Sequence, residues 1–317
     1  IGLQEWQGCG SASPVPSMVC RVIRDLKLLE MEIDVPMTFD GNHGMLSGDF
    51  KVQEDKKLRQ KYASIADPEE KLQYFSARQI ACRLLGSRGY LCRKCWLAET
   101  DCMCSKVQVS TLWQRLHIWL YMHPKDFLRQ NNTGKLLWQV FGVPAASLCL
   151  FGIAEHEDMM WNKLVHAGRK RVWYLYPVKS APTVSIEGEV FSCLRDIKSE
   201  APFEEDDTLH FILLDGTWNN STAMLRRLQN RAIKLWGEEL CCLSLNTGIA
   251  CMHKLRPQPS CDRTCTAGAA IGLLRELHRV PELRSVGLET QAEALENTLE
   301  VLLEALTTRR SRMGRLV

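Results

Sequence analysis

Short apolar segments alternate with helical segments from residue 107 onward, and this pattern limits the possible folds most strongly. Five apolar runs have the length of buried strands, at residues 116–122, 146–153, 172–176, 210–214 and 240–245. The segments between them predict helices at residues 135–141, 157–167 and 221–236. Apolar strands separated by helices are typical of a parallel sheet that is buried on both faces. The pattern therefore predicts an α/β fold with a mostly parallel sheet flanked by helices.

Near the C-terminus, apolar residues recur every three or four positions and predict one amphipathic helix. The stripe consists of Leu288, Ala292, Leu295, Leu299, Leu302 and Leu306. Basic residues follow it at 309–315, at the helix end where the macrodipole favours positive charge. We interpret this helix as a packing element, with contact between its basic end and RNA as the alternative.

The chain before this pattern divides by composition into two further segments. Residues 1–50 are rich in Gly, Ser, Pro and Met, and they predict a loosely attached extension of unknown role with one helix near 18–30. Residues 51–106 predict a helical segment followed by a cysteine module, and residues 107–317 the main domain. Residues 1–50 carry a net charge of −4 and the remainder +7. Basic clusters in the remainder suit a phosphate backbone, although solvated helix faces look the same.

Composition excludes several classes of protein. No apolar run is long enough to span a bilayer, and the first 20 residues lack the pattern of a secretory signal. The chain has 14 cysteines, but a chain of 317 residues can bury a core without disulfides. We therefore expect reduced thiols, no membrane partner and an intracellular location, in the cytoplasm with the nucleus or an organelle as alternatives.

Four of these cysteines form one compact motif. Cys92, Cys95, Cys102 and Cys104 lie within 13 residues as a CxxC pair and a CxC pair. Four thiolates so spaced can close a tetrahedral Zn²⁺ site that has no open position for water, which predicts a structural metal. Basic residues at 88, 93 and 94 would offset the negative charge of such a site. A redox CxxC and free thiols are the alternatives.

A second motif follows one of the predicted strands. Residues 210–214 run directly into Asp215, Gly216, Thr217 and Trp218. Ligands of open parallel sheets bind at the carboxyl ends of strands, so an acidic residue there is a candidate catalytic group. The alternative is structural, because Asp and Thr also cap helices and Trp often packs in a core.

Several further motifs give this chain a family resemblance. After the cysteines come His123-Pro-Lys-Asp126, Asn132-Thr-Gly-Lys-Leu136 and Leu175-Tyr-Pro177. Next comes the strand ending in Asp215, followed by Leu255-Arg-Pro257 and Thr264-Cys-Thr266. In this order, over residues 85–280, the motifs resemble the DTW-domain family. The chain departs from the family pattern at Asp126, where Glu is usual, and at Gly268, where many members have Glu.

The resemblance implies both a fold and a reaction. The fold is a SPOUT-like, knotted core with a small N-terminal zinc-binding module. The reaction is that of a tRNA-uridine aminocarboxypropyltransferase, which transfers the 3-amino-3-carboxypropyl group of S-adenosyl-L-methionine to N3 of a tRNA uridine and releases methylthioadenosine. A SPOUT-type RNA methyltransferase and a non-catalytic zinc-containing RNA-binding protein are the alternatives.

This reaction assigns expected roles to individual residues. Uracil N3 must lose its proton, and Asp215 is the acid of the most specific motif, so we predict that it is the general base. Arg256 is the candidate group for the donor's carboxylate, with a surface ion pair as its alternative. The predicted donor site comprises Leu175, Tyr176, Pro177, Asp215, Gly216, Thr217, Trp218, Asn246, Thr247, Gly248, Arg256 and Thr266.

Four residues are predicted to contact tRNA. His123 and Asn132 would line the entrance to the site, although His123 can equally be a strand-end imidazole bonded to the backbone. Arg226 and Arg227 lie on the helix that follows Asp215 and would bind phosphates.

Overall fold

A computed structural model of the chain describes residues 6–11, 13–40, 44–176, 183–184, 186, 190, 193, 207–243, 245 and 264–314. Two strands form a small antiparallel hairpin, β1 (Thr38–Asp40) and β2 (Met45–Ser47). Six strands form the main sheet: β3 (Leu116–Met122), β4 (Ala146–Leu150), β5 (Val172–Leu175), β6 (Thr183–Val184), β7 (Leu209–Asp215) and β8 (Cys241–Leu243).

The main sheet has the order β4-β3-β7-β5-β8-β6, and its neighbouring strands are parallel. All five predicted strands are present with bounds close to those expected, which confirms the α/β prediction. The sixth strand, β6, is only two residues long and gave no signal in the sequence.

Eight α-helices accompany the strands in the described part of the chain. They are α1 (Ser17–Ile33), α2 (Gly48–Ser64), α3 (Pro68–Ser87), α4 (Leu136–Phe141), α5 (Ala154–Ala167), α6 (Trp218–Trp236), α7 (Thr266–Arg279) and α8 (Leu288–Arg312). The predicted helices are confirmed, and the α8 stripe is buried as expected. Helix α7 was not predicted; its first turns are rich in Ala and Gly, and glycines at 268 and 272 lower the intrinsic helix propensity of the segment.

Helices cover both faces of the sheet. One hydrophobic cluster joins α5 and α6 to one face, through side chains such as Trp161 and Met224 against Ile212. A larger cluster joins α4, α7 and α8 to the other face, and it continues into α1 and α3. The sheet is therefore buried on both sides, which explains why its strands are predominantly apolar.

The N-terminal segment is packed against this core, so the expectation of a loosely attached extension is wrong for its described residues. The Trp6 side chain is fully buried, and its ring lies 5.9 Å from that of Phe127. The Leu148 amide on the edge strand β4 donates to the Gly10 carbonyl at 3.2 Å. A Cβ at Gly10 would come within 2.4 Å of the Trp138 ring. The segment thus covers an otherwise exposed sheet edge.

Two expectations about organisation stay predictions. The connection from β8 to α7 contains residues 246–263, which lie outside the described residues, so the knot implied by the resemblance is not tested. One hydrophobic cluster draws side chains from all three predicted segments, whose boundaries at residues 50 and 106 also stay predictions. Of the described helices, none has the length and hydrophobicity that crossing a membrane requires.

Candidate functional site

The order of the strands identifies where a ligand would bind. The chain leaves β3 toward β4 on one side of the sheet, and it leaves the adjacent strand β7 toward β8 on the other side. Connections that diverge in this way open a crevice at the carboxyl ends of the two strands. Asp215 is the last residue of β7, and His123 directly follows β3. The His123 amide donates to the Asp215 carbonyl at 2.8 Å, so both motifs meet in the crevice.

The Asp215 carboxylate connects three motifs that are far apart in sequence. Its Oδ2 accepts a hydrogen bond from the Asn132 side-chain amide at 2.5 Å, and its Oδ1 accepts one from the Thr266 hydroxyl at 2.7 Å. Asp215 is 7% exposed, and Thr266 is the first residue of α7. Hydrogen bonds and a helix N-terminus both favour a charged carboxylate. In its charged form, such a carboxylate can accept a proton or bind a cationic group.

The loop after β3 contains Thr133, Gly134 and Lys135, which belong to the Asn132-Thr-Gly-Lys-Leu136 motif and had no predicted role. The Thr133 hydroxyl accepts from the Ala267 amide in the first turn of α7 at 3.3 Å. The Lys135 amide donates to Asn132 Oδ1 at 3.1 Å and so orients the amide that binds Asp215. A Cβ at Gly134 would lie 2.8 Å from Leu120 and 3.0 Å from Asp215 Oδ2. Thr133, Gly134 and Lys135 lie next to Asn132 in one motif, and this was the sequence signal that could have identified them.

The described part of the predicted donor site clusters at this sheet edge. Leu175 ends β5, which is the neighbour of β7, and Tyr176 follows it. Gly216 and Thr217 lie between β7 and α6, where Thr217 occupies the N-cap position without a side-chain capping hydrogen bond. The remaining predicted residues, Pro177, Asn246, Thr247, Gly248 and Arg256, and the side chain of Trp218, lie outside the described residues.

His123 is a buried, neutral imidazole. Its Nδ1 accepts from the Lys125 amide at 3.1 Å, and its ring stacks on Phe151 with 5.7 Å between centroids. Burial lowers the pKa of His123 to about 4, so the ring is uncharged at neutral pH. The backbone-bonded interpretation is confirmed. Contact of His123 and of the buried Asn132 with tRNA stays a prediction.

Arg227 lies in an ion-pair network. Its Nε donates to Glu157 at 2.8 Å, and its Nη1 donates to Glu69 at 2.7 Å. The Tyr121 hydroxyl and the Gly152 amide also donate to Glu157, at 2.7 and 3.0 Å. The hydrogen bond from Arg227 lowers the pKa of Glu69. The network ties α3, α5 and α6 to the end of β3, which gives Arg227 a structural role. Its contact with tRNA stays a prediction.

A cleft of about 630 Å³ lies between α3, α5 and α6 beside the crevice. Phe151, which stacks on His123, contributes to its lining. Arg226, Asn230 and Lys234 also line it, and they are spaced four residues apart along one face of α6. Among the described residues, neither Arg226 nor Lys234 has a carboxylate partner. The cleft therefore presents uncompensated positive charge next to the predicted site.

The four predicted metal ligands converge. The Sγ atoms of Cys92, Cys95, Cys102 and Cys104 lie within 4.8 Å of one another. Individual Sγ–Sγ distances are 3.5 Å from Cys102 to Cys92, 3.7 Å from Cys92 to Cys104 and 3.8 Å from Cys95 to Cys102. A tetrahedral zinc with bonds of about 2.3 Å separates its sulfurs by about 3.8 Å. The donor set and its spacing therefore fit a structural zinc ion, and the thiols are free rather than paired in disulfides.

The cysteine loop, residues 91–104, is packed between the loop that follows β3 and the C-terminal helix α8. Trp96 has a positive φ of 58° and places its ring 5.5 Å from Phe127 and 5.3 Å from Trp138. Arg312 at the end of α8 pairs with Asp101 in the cysteine loop. This contact supports the packing interpretation of the basic end of α8.

Comparison with known proteins identifies one family. The family model described as the DTW domain matches residues 89–309. The match runs past the C-terminal end of the motif region and includes the cysteine loop, the main sheet and most of α8. No curated protein and no solved structure gives a significant match. Because the family model covers more than half of the chain, the chain belongs to the DTW-domain family.

Proposed function

We propose that this chain is a tRNA-uridine aminocarboxypropyltransferase that uses S-adenosyl-L-methionine as donor. Membership of the DTW-domain family is consistent with a tRNA-modifying function. The observation that carries the proposal is the meeting of three family motifs at one buried carboxylate, where Asp215 binds Asn132 and Thr266. Those contacts lie at the crevice where an open parallel sheet binds its ligand.

In the proposed reaction, a bond forms between uridine N3 and the γ-carbon of the donor. The bond between that carbon and the sulfonium sulfur breaks, and its electron pair stays on sulfur in neutral methylthioadenosine. The N3 proton passes to the Asp215 carboxylate, which acts as general base. Asn132 and Thr266 donate to this carboxylate and fix its position. Catalysis would then depend on close positioning of N3 beside the base.

The donor would occupy the ends of β5 and β7. Leu175, Tyr176, Gly216 and Thr217 lie there in the described part of the chain. We assign Pro177, Trp218, Asn246, Thr247, Gly248, Arg256 and Thr266 to the same site, as the sequence predicts. Thr266 would have two roles, because its hydroxyl also holds Asp215.

Product analysis tests the reaction directly. Incubation with bulk tRNA and S-adenosyl-L-methionine should yield 3-(3-amino-3-carboxypropyl)uridine and methylthioadenosine in equal amounts, measured by mass spectrometry. Adenosylhomocysteine as the sole by-product would replace the proposal with a methyltransferase. Binding of tRNA without either product, under conditions where the donor binds, would favour a non-catalytic RNA-binding protein.

The cleft between α3, α5 and α6 is the proposed path of the tRNA backbone. Its three carboxylates, Glu69, Glu157 and Asp158, are already bound to Arg227 and Arg231. These carboxylates therefore do not neutralise Arg226 and Lys234, which lie exposed along one face of α6. Phosphates would meet net positive charge there.

Reversing this charge should weaken tRNA binding. We expect the double change Arg226→Glu and Lys234→Glu to raise the Kd for tRNA at least tenfold. The slope of log Kd against log salt concentration should fall by about one for each phosphate that the protein no longer binds. The turnover rate at saturating tRNA should change little. The matched control is Lys51→Glu with Arg59→Glu, which reverses two exposed charges at the same spacing on α2, away from the cleft. An equal loss of binding in the control would refute the proposed path.

A further inference from the structure

Lys135 is a fully buried lysine without a carboxylate partner in the part of the chain that the structure describes. Its side chain is 0% exposed, and its Nζ donates to the Gln130 carbonyl at 2.6 Å. The same Nζ lies 5.9 Å from the centre of the Trp96 ring. Burying an ammonium is costly unless a nearby negative charge compensates it. One carbonyl and one ring face give only partial compensation, so the surroundings of Lys135 need another source of negative charge.

The cysteine loop, which lies beside Lys135 through Trp96, can supply that charge. Trp96 directly follows Cys95, so the ring beside Lys135 belongs to the residue next to a metal ligand. Burial lowers the pKa of Lys135 to about 7, and thiolates at Cys95, Cys104 and Cys92 oppose this shift and favour the charged form. A zinc ion bound by four thiolates carries a net charge of −2. Basic residues at 88, 93 and 94 are exposed, so water screens them more than it screens Lys135.

We propose that Lys135 is the internal counter-ion of the four-cysteine metal site and couples that site to the position of Asn132. The ammonium lowers the cost of placing a doubly negative centre against the core. The centre in turn compensates the ammonium that burial would otherwise penalise. This proposal concerns the chain's own lysine and does not depend on which reaction the protein catalyses.

Lys135 also holds the loop that reaches Asp215. Its backbone amide donates to Asn132 Oδ1, while its side chain closes on the Gln130 carbonyl of the same loop. Asn132 in turn donates to Asp215. Lys135 thus holds this loop through both its backbone and its side chain. If its ammonium were not held in place, the Asn132 amide that orients the Asp215 carboxylate would be disturbed. Lys135 is in this sense a positioning residue.

Zinc release tests the counter-ion role without any assay of activity. In Lys135→Met, transfer of zinc from the folded protein to a chromophoric chelator should be 10- to 100-fold more favourable than in the wild type, as is usual when a residue that supports a metal ligand is removed. The control is Lys94→Met, which removes the same charge from an exposed position in the cysteine loop and should alter zinc retention less than threefold. Equal zinc retention in wild type and Lys135→Met would overturn the proposal.

A second variant separates charge from hydrogen bonding. Lys135→Gln keeps a hydrogen-bond donor for the Gln130 carbonyl but removes the positive charge. It should therefore lose zinc as readily as Lys135→Met. It also serves as the test if the Met variant does not fold. The transfer reaction in both variants should show a lower kcat with an unchanged KM for tRNA. Wild-type zinc retention in the Gln variant would mean that the hydrogen bond matters and the charge does not.

Discussion

Replacing Asp215 with Asn should lower the rate of uridine modification by about 10²- to 10⁴-fold, the range expected when a general base is removed. The variant should still fold. An asparagine oxygen can accept from Asn132, and its amide can donate to the Thr266 hydroxyl, which both donates and accepts. Shape and hydrogen bonding are thus preserved, while the negative charge is lost. Single-turnover measurements with mass spectrometry of the nucleoside product would give the rate.

A matched control separates catalysis from stability. Asp207, just before the amino end of the same strand β7, pairs with Arg171 at 3.4 Å and lies far from the crevice. Asp207→Asn should leave the rate unchanged within a factor of two. Donor affinity, measured for both variants, separates loss of the base from loss of donor binding. If Asp215→Asn retained wild-type turnover, the carboxylate would be a structural anchor for Asn132 and Thr266, and the assignment of a general base would fail.

The sheet was predictable from sequence because its strands obey a simple physical rule. Strands buried on both faces are predominantly apolar, and the five runs from residue 116 to residue 245 satisfy this condition with only a few polar residues such as His117 and His210. The stripe of α8 was equally clear, because one of its faces meets the core and the other meets water. Order along the chain then placed Asp215 and His123 after strands that the structure makes neighbours.

Other features were hidden because tertiary contacts decide them. Helix α7 packs much of its surface into the core, and glycines at 268 and 272 lower its intrinsic helix propensity. The composition of residues 1–50 suggested a loose segment, yet Trp6 is buried and the Gly10 carbonyl completes a sheet edge. Arg227 looked like a phosphate ligand, because no local pattern shows that Glu69 and Glu157 converge on it. Lys135 gave no local sign of burial.

Replacing Cys92 with Ser should remove the metal and lower the free energy of unfolding by more than about 4 kcal/mol, which is exceptional for one substitution. Zinc binding contributes about 10–16 kcal/mol to the folding of small four-ligand peptides. Total stabilities of domains are only about 5–15 kcal/mol, so even a fraction of that contribution is large. Elemental analysis should find one zinc per wild-type chain and less in Cys92→Ser, and chemical denaturation would measure the loss of stability.

The packing of the cysteine loop explains why this loss should spread beyond the metal. Trp96 packs on Trp138 of α4, and Asp101 holds Arg312 at the end of α8. Without its metal, the loop would hold neither Trp138 nor Arg312 firmly. Amide hydrogen exchange should therefore accelerate in α8 and in residues 123–135 as well as around the cysteines. Cys20→Ser is the control, because Cys20 is exposed and far from the quartet in sequence. Equal stability of Cys92→Ser and Cys20→Ser, with no zinc in the wild type, would show that these four thiols are not a metal site.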